Sequence, residues 1–176
     1  AGRGPDELLG LVPTISREGY EGRKVIELVA DTGSAMELKP LHARNLVTTL
    51  ARLDGRPVGF LANNPGHLAG MLDAKACDKG AHFIALCDAF GLPIVSLIDV
   101  PGFLIGPGAE RTALGRRSAK LIFELGNATV PRAAIVLRKG TRLTPQALGL
   151  AASVGAAVLP VVRRPQVAVF STGDEL

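Results

Sequence analysis

Apolar and polar positions alternate along the chain in patterns that mark out strands and helices. Two segments rich in β-branched and aliphatic residues, Asn45–Leu53 and Arg56–Asn63, are separated only by Asp54 and Gly55. A two-residue Asp-Gly loop supplies the positive φ angles that a type I′ turn requires. These segments therefore predict a β-hairpin.

Apolar residues recur at helical spacing in three segments on either side of this hairpin: Tyr20–Ala30, Ala74–Phe90 and Ala109–Leu125. Asp73 stands where it can cap the second helix. We expect the apolar positions of these helices to face the core. They are Val25, Ile26 and Val29 in the first helix, Cys77, Phe83, Cys87 and Phe90 in the second, and Leu114, Leu121, Ile122 and Leu125 in the third.

Short apolar runs predict further strands between and after these helices. Pro93–Val100 is continuously apolar, which is typical of a strand buried on both faces of a sheet, and Ala133–Leu137 follows Pro131. The order ββαβαβ predicts a partly parallel sheet with crossover helices. Near the end of the chain, a helix over about Gln146–Val154 and a strand at Val167–Phe170 are predicted.

Composition excludes several classes of protein. Of 176 residues, 47% are hydrophobic and 20% charged, as in ordinary globular domains, and no apolar run reaches the length of a membrane span. Only 4% are aromatic, which disfavours stacking on nucleic acid. The N-terminus lacks the pattern of a secretory signal. We expect a cytoplasmic protein whose two cysteines, Cys77 and Cys87, are reduced and buried.

The candidate chemistry lies in a glycine- and proline-rich loop. Asp99–Phe103 follows a predicted buried strand, and the carboxyl ends of such strands are where open α/β sheets bind ligands. Glycine lets backbone N–H groups approach a ligand closely. A connection that binds nothing is an equal alternative on loop chemistry alone. Gly106–Gly108 lacks the spacing of a phosphate-binding loop.

Side-chain catalysts are not indicated. The chain has no G-x-S-x-G nucleophile motif, and Ser96 lies inside an apolar strand. The histidines have no zinc-ligand spacing, so no metal site is predicted, and a structural role is favoured for His82. Three cations, Arg116, Arg117 and Lys120, either form a solvated helix face or contact an anionic group. This combination suits chemistry in which oriented amides stabilise an oxyanion.

Several segments, in order, carry a family resemblance. They are PDELLGLVP, ARLDGRPVGFLANNP, LAGMLDAKACDKGAHFIALCDAFGLPIVSLIDVPGF and AKLIFELGNATVPRAAIVLRKG, from about Pro5 to Lys139. This part of the chain resembles the C-terminal domain of the carboxyltransferase (beta) subunit of biotin-dependent acyl-CoA carboxylases, such as propionyl-CoA carboxylase.

The resemblance implies an α/β fold, an incomplete crotonase-like (ClpP/crotonase) ββα spiral. It implies transfer of a carboxyl group from carboxybiotin to the α-carbon of an acyl-CoA. Biotin would arrive on a partner protein, so the implied partners are biotin carboxylase, a biotin carboxyl carrier subunit and further carboxyltransferase subunits in a homo-oligomer. Because the half of the family that holds coenzyme A is not matched, we expect this chain to be inactive alone.

The resemblance also implies site residues. Residues lining the biotin side would be Pro101, Gly102 and Phe103, with Asn63 and Asn64 near the mouth of the site. The family uses backbone amides as oxyanion donors after the strand that ends in Arg-Lys. Here Gly140 is the plausible donor, since Pro145 has no N–H.

The last part of the chain resembles a different family. From Gly140 onward, GTRLTPQALGLAASVGAA and VVRRPQVAVFSTGDEL are similar to molybdopterin molybdenumtransferases of molybdenum-cofactor synthesis. We therefore expect two domains, 1–139 and 140–176, joined near Val136–Gly140 as in a chimera. Two alternatives remain: a molybdenumtransferase fragment with Thr172–Glu175 at the edge of its site, and a non-catalytic crotonase-like assembly module.

Overall fold

A computed structural model describes residues 19–136, which form one five-stranded sheet in the order β1-β2-β3-β4-β5 with helices packed on both faces. The elements are α1 (Gly22–Val29), β1 (Met36–Glu37), β2 (Leu46–Leu53), β3 (Arg56–Asn63), a 3₁₀ turn (Leu68–Gly70), α2 (Ala74–Ala89), β4 (Ile94–Ile98), α3 (Pro107–Arg111), α4 (Leu114–Asn127) and β5 (Arg132–Val136). The elements predicted at 146–154 and 167–170 lie outside the described residues.

The predicted hairpin is confirmed. Strands β2 and β3 pair antiparallel and in register up to Leu53 opposite Arg56, and both turn residues have positive φ, 51° at Asp54 and 75° at Gly55. The carboxylate of Asp31 accepts hydrogen bonds from the N–H groups of Asp54 (3.0 Å) and Gly55 (2.7 Å). The turn is therefore fixed both by its own backbone preference and by a side chain from the end of α1.

The predicted parallel part of the sheet is also confirmed. Strand β4 pairs parallel with both β3 and β5, with α2 crossing between β3 and β4, and α4 between β4 and β5. The carboxyl ends of all three strands consequently lie at one edge of the sheet. Strand β4 is less buried than predicted: Ile94 is buried, but Val95–Ile98 are half-buried, because α1 packs chiefly against β2 and β3.

The two faces of the sheet carry separate apolar clusters. Helices α2 and α4 pack together on one face, where Gly80 admits the Leu121 side chain at close range. Helix α1 covers the other face, with the fully buried Ile26 against Val47 and Phe60. The alternation of side chains along β2 and β3 sends successive residues to opposite clusters.

Some predicted inward positions are wrong. Phe90 is 76% exposed because it stands at the C-terminal end of α2. Ile122 is 60% exposed because its neighbour in α4, Leu121, is the residue that faces α2. Val29 is exposed too. His82, for which a structural role was favoured, is an exposed residue of α2. The third predicted helix is two helices, divided at Ala113, whose φ is 56°.

The prediction for the cysteines is confirmed in its structural part. Cys77 and Cys87 are buried, unpaired thiols on α2, and burial raises the pKa of each to about 11. A thiol with so high a pKa is almost entirely protonated at neutral pH and is a poor nucleophile. Among residues 19–136, none of the helices has the length and apolarity needed to cross a bilayer.

The start of β5 is fixed by Asp88 near the end of α2. Its Oδ1 accepts hydrogen bonds from Thr129 N (2.6 Å) and Oγ1 (3.0 Å) and from Val130 N (3.2 Å). These bonds, led by the one from the Thr129 backbone, lower the pKa of Asp88. The carboxylate thereby sets where the chain turns into its last described strand.

Candidate functional site at the carboxyl edge of the sheet

The predicted site loop begins where β3 and β4 end side by side. Ala62 pairs with Leu97 in the last register position, and Asn63 and Asp99 follow beyond it. The Asn63 side chain is 7% exposed and bridges two segments: Oδ1 accepts from Asp99 N (3.3 Å), and Nδ2 donates to Gly70 O (3.1 Å). Asn63 therefore joins the start of the loop to the 3₁₀ turn.

The loop then pairs with the backbone at Leu72. The N–H of Leu72 donates to Gly102 O (3.1 Å), and the N–H of Leu104 donates to Leu72 O (2.9 Å), which forms a parallel bridge between Leu72 and Phe103. In such a bridge, the N–H and C=O of the middle residue point away from the partner segment. The backbone polar groups of Phe103 are thus turned away from Leu72.

Residues 101–103, which we call the Pro-Gly-Phe loop, present an open surface. Gly102 has a φ of 144°, and a Cβ built on it would meet no atom within 4 Å. The Phe103 side chain is 41% exposed, and Pro101 is exposed. The loop thus offers an aromatic face beside backbone that a ligand can approach closely.

Two contacts fix the position of Asp99 before the Pro-Gly-Phe loop. The Tyr20 hydroxyl donates to Asp99 Oδ2 (2.9 Å). Gly70 has a φ of 75° and lies so close that an added Cβ would stand 2.7 Å from Asp99 O. Gly70 was not predicted as a site residue. Its only sequence signal is a glycine before an apolar residue, which does not indicate contact with Asp99.

Asn64 does not share this site with Asn63. Its Oδ1 accepts from Gly22 N (3.0 Å), and its Nδ2 donates to Glu21 Oε2 (3.1 Å) and Arg44 O (2.9 Å). It lines a separate cleft of about 320 Å³ next to α1. Adjacent residues at a strand end point to opposite faces, so one of the pair reaches the loop and the other does not.

The predicted cations lie at the start of α4. Arg116, Arg117 and Lys120 are exposed and line an open cleft of about 280 Å³ together with Asp78, with which Arg117 forms an ion pair. One of the three is therefore committed to a neighbouring helix. Gly140, the predicted oxyanion donor, lies outside the described residues.

Comparison with known proteins identifies the class. The fold is the crotonase-like α/β fold of carboxyltransferases. A similar solved structure is the crystal structure of the transcarboxylase 12S hexamer with methylmalonyl-coenzyme A and methylmalonic acid bound. It matches with a TM-score of 0.76 at 41% identity, and the match covers 86% of this chain and 29% of that one. The profile of the carboxyl transferase domain matches residues 2–145. The chain belongs to the carboxyl transferase domain family.

Curated relatives agree with this assignment. The methylmalonyl-CoA carboxyltransferase 12S subunit of Propionibacterium freudenreichii subsp. shermanii is 45% identical over 133 residues, which is 76% of this chain and 25% of that protein. The biotin-dependent acetyl-/propionyl-coenzyme A carboxylase beta5 subunit of Mycobacterium tuberculosis (strain ATCC 25618 / H37Rv) is 44% identical over 133 residues, 76% of this chain and 24% of that protein. The chain spans about a quarter of the length of these relatives.

Proposed function

We propose that this chain is the biotin-facing part of a carboxyltransferase that moves a carboxyl group from carboxybiotin to the α-carbon of an acyl-CoA. The observation that carries the proposal is the Pro-Gly-Phe loop, held at the carboxyl edge of the parallel strands with Phe103 partly exposed. Family membership supports it, since named relatives act on acyl-CoA esters and are biotin-dependent.

The residues of the loop fit biotin. Its fused ring system is apolar on its faces and polar at the ureido group, so it suits an aromatic side chain next to accessible backbone. Phe103 supplies the first, and the open space beside Gly102 admits a ring to the backbone. When bound, carboxybiotin supplies the carboxyl group that is transferred.

The side chains around the loop act by holding backbone in place. Asn63 joins Asp99 to Gly70, and Tyr20 holds the Asp99 carboxylate. Backbone N–H groups held rigidly in this way stabilise developing negative charge without a titrating side chain. For the same role beyond β5 we propose the N–H of Gly140.

The proposed reaction also needs the parts of the enzyme that this sequence does not match. Because the chain spans about a quarter of its relatives, we propose that a further part of the carboxyltransferase supplies the coenzyme A side. A biotin carboxylase and a biotin carboxyl carrier subunit would deliver carboxybiotin, and other carboxyltransferase subunits would complete an oligomer. A non-catalytic assembly module would form the oligomer without binding biotin.

Binding of biocytin, the lysine conjugate of biotin, tests the proposal. The full 176-residue chain is titrated with biocytin and followed by NMR of the backbone amides. We expect saturable shifts at Gly102–Leu104, and Phe103→Ala should weaken the affinity about tenfold through loss of an aromatic contact.

Phe90→Ala is the matched control. Phe90 is also an exposed phenylalanine, at 76%, but it stands at the end of α2, outside the loop. Its replacement should leave the affinity within about twofold, which is a negligible free-energy difference. Absence of any biocytin binding, or equal weakening by the two replacements, would contradict the proposal.

For the segment from Gly140 onward, we propose a join to a stretch of molybdopterin molybdenumtransferase type. Peptide mapping of the protein from its native source tests this, with an endoproteinase that cuts after glutamate. Cleavage after Glu124 and Glu175 leaves Leu125–Glu175 in one peptide. Detecting it would establish the join in the natural protein, and a different continuation after Lys139 would refute it.

A further inference from the structure

Asn45 lies directly before β2, is 3% exposed, and has a side chain that serves a different segment of the chain. Its Nδ2 donates to Met71 O (2.7 Å) and to Asp73 Oδ1 (3.2 Å). The residue between these two acceptors is Leu72, whose N–H and C=O both bond to the loop at Gly102 and Leu104. Asn45 therefore hydrogen-bonds to segment 71–73, the same segment to which the backbone around the Pro-Gly-Phe loop is bonded.

Segment 71–73 is held from two sides. On the side of α2, Asp73 caps the helix by accepting from Ala76 N (2.8 Å), which fixes the end of the segment. On the side of β2, Asn45 supplies a hydrogen bond to Met71 O, one residue before Leu72. Without the second contact, the segment would be anchored at the helix and released next to the loop.

Asn45 is itself held rigidly. Its carbonyl accepts from Asn64 N (2.9 Å). On either side of it, the buried Lys79 ammonium donates to His42 O (2.8 Å) and Leu46 O (2.7 Å). These contacts tie the backbone around Asn45 to β3 and α2, independently of residue 71.

We propose that Asn45 is a positioning residue for the biotin-side loop: its bond to Met71 O fixes Leu72, and Leu72 in turn fixes Gly102 and Leu104. The position of the loop does not depend on what the loop binds, whereas the effect of Asn45 on biotin binding rests on the proposed function. The chemical role is indirect, since the Asn45 side chain contacts backbone and a helix cap.

Amide hydrogen exchange in the full chain measures the placement directly. Asn45→Asp is nearly isosteric, but its side chain can donate neither to Met71 O nor to Asp73 Oδ1, and it places a carboxylate next to that of Asp73. We expect the Leu104 amide to exchange about tenfold or more faster in this variant, and biocytin affinity to fall by a similar factor.

Thr48→Val is the matched control. Thr48 is 1% exposed, and its Oγ1 donates to Leu38 O (2.9 Å), away from residues 71–73. The variant loses one hydrogen bond of a buried side chain and so lowers stability without touching the segment next to the loop. Exchange at Leu104, corrected for global stability, should be unchanged, and so should biocytin affinity.

A double variant separates the loss of the bond to Met71 O from the repulsion between two carboxylates. In Asn45→Asp/Asp73→Asn, the side chain at position 73 is neutral and still caps α2 by accepting from Ala76 N, since asparagine and aspartate are comparable N-caps. The bond to Met71 O stays absent. We expect stability to recover relative to Asn45→Asp while Leu104 continues to exchange fast and biocytin continues to bind weakly.

One measurement needs no substitution. In the unsubstituted chain, the Leu104 backbone amide should be no better protected from exchange than the Asn45 side-chain amide, because release of Met71 from Asn45 also frees the segment to which Leu104 bonds. Stronger protection of Leu104 than of the Asn45 amide, or an unchanged Leu104 rate in Asn45→Asp, would overturn the positioning role. If Leu104 exchange responds as expected but the unsubstituted chain does not bind biocytin, the positioning role stands and the proposed function fails.

Discussion

Gly70 offers the sharpest test of how the site loop is supported, because it combines two separable constraints. Its φ of 75° is one that alanine adopts only with strain, and an added Cβ would lie 2.7 Å from Asp99 O. Gly91 has the first constraint without the second: its φ is 65°, and a Cβ there meets nothing within 4 Å. Gly70→Ala and Gly91→Ala are therefore a matched pair.

The magnitudes follow from the two constraints. Alanine in the left-handed region costs about 1–2 kcal/mol, which applies to both variants. At Gly70 the contact atom is a backbone oxygen, so relief requires the Asp99 segment to move, and overpacking of this kind costs about 1–3 kcal/mol more. We expect Gly91→Ala to lower the free energy of unfolding by about 1–2 kcal/mol and Gly70→Ala by about 2–5 kcal/mol.

Urea unfolding measures the free energy of unfolding of both variants, and biocytin titration shows whether the strain at Gly70 displaces the loop. Displacement of Asp99 should shift the Pro-Gly-Phe loop and weaken biocytin binding in Gly70→Ala, while Gly91→Ala, at the end of α2, should bind like the unsubstituted chain. Equal destabilisation of the two variants would refute the claim that Asp99 and Gly70 are in fixed contact. Unchanged biocytin affinity in Gly70→Ala would refute the link from Gly70 to the loop.

Three further predictions concern the packing of α2. Gly59→Ala should destabilise the chain by about 1–3 kcal/mol, since its Cβ would lie 2.5 Å from Cys87 Sγ. In a double-mutant cycle measured by urea unfolding, Cys87→Ala should relieve part of this destabilisation, and additive effects would contradict the contact. Burial lowers the pKa of Lys79 to about 8, so between about pH 8 and 10.5 the unfolded chain binds more protons than the folded chain. In that range the free energy of unfolding should rise with pH by up to about 3 kcal/mol relative to Lys79→Met. Parallel stability curves for the two proteins would refute this. The Cys77 and Cys87 thiols should react with a disulfide reagent only as the chain unfolds, so labelling faster than unfolding would count against their burial.

The elements that local chemistry dictates were predictable. Asp54-Gly55 permits few conformations other than a type I′ turn, and the prediction of the hairpin matched the observed strands to within one residue. The alternation along β3 carries further information. Leu61 and Asn63 share one face and Asn64 lies on the other, so the period of two residues by itself distinguishes the two asparagines.

The rest depends on contacts that no local pattern reveals. Residues 109–114, which contain the break at Ala113, include neither glycine nor proline, and helical periodicity continues through them. Asn45 reaches Met71 across 26 positions of sequence, and Gly70 is shaped by the carbonyl of Asp99. Such residues become recognisable only when the sheet has brought β3 and β4 together.

On the proposed function, backbone amides of the loop do the work of a side-chain catalyst, which would account for the absence of such a motif from the sequence. Asn45, Asn63 and Tyr20 hold the segments next to the loop. Their hydrogen bonds go to backbone at residues 70, 71 and 99 and to the carboxylates of Asp73 and Asp99. Their energetic role is to remove freedom from the segments that carry Gly102 and Phe103. Amides stabilise developing charge effectively only when they are already oriented, because reorganisation at the moment of reaction would cost what the interaction gains. Substitutions at these residues should therefore act through the position of the loop and change binding and exchange together.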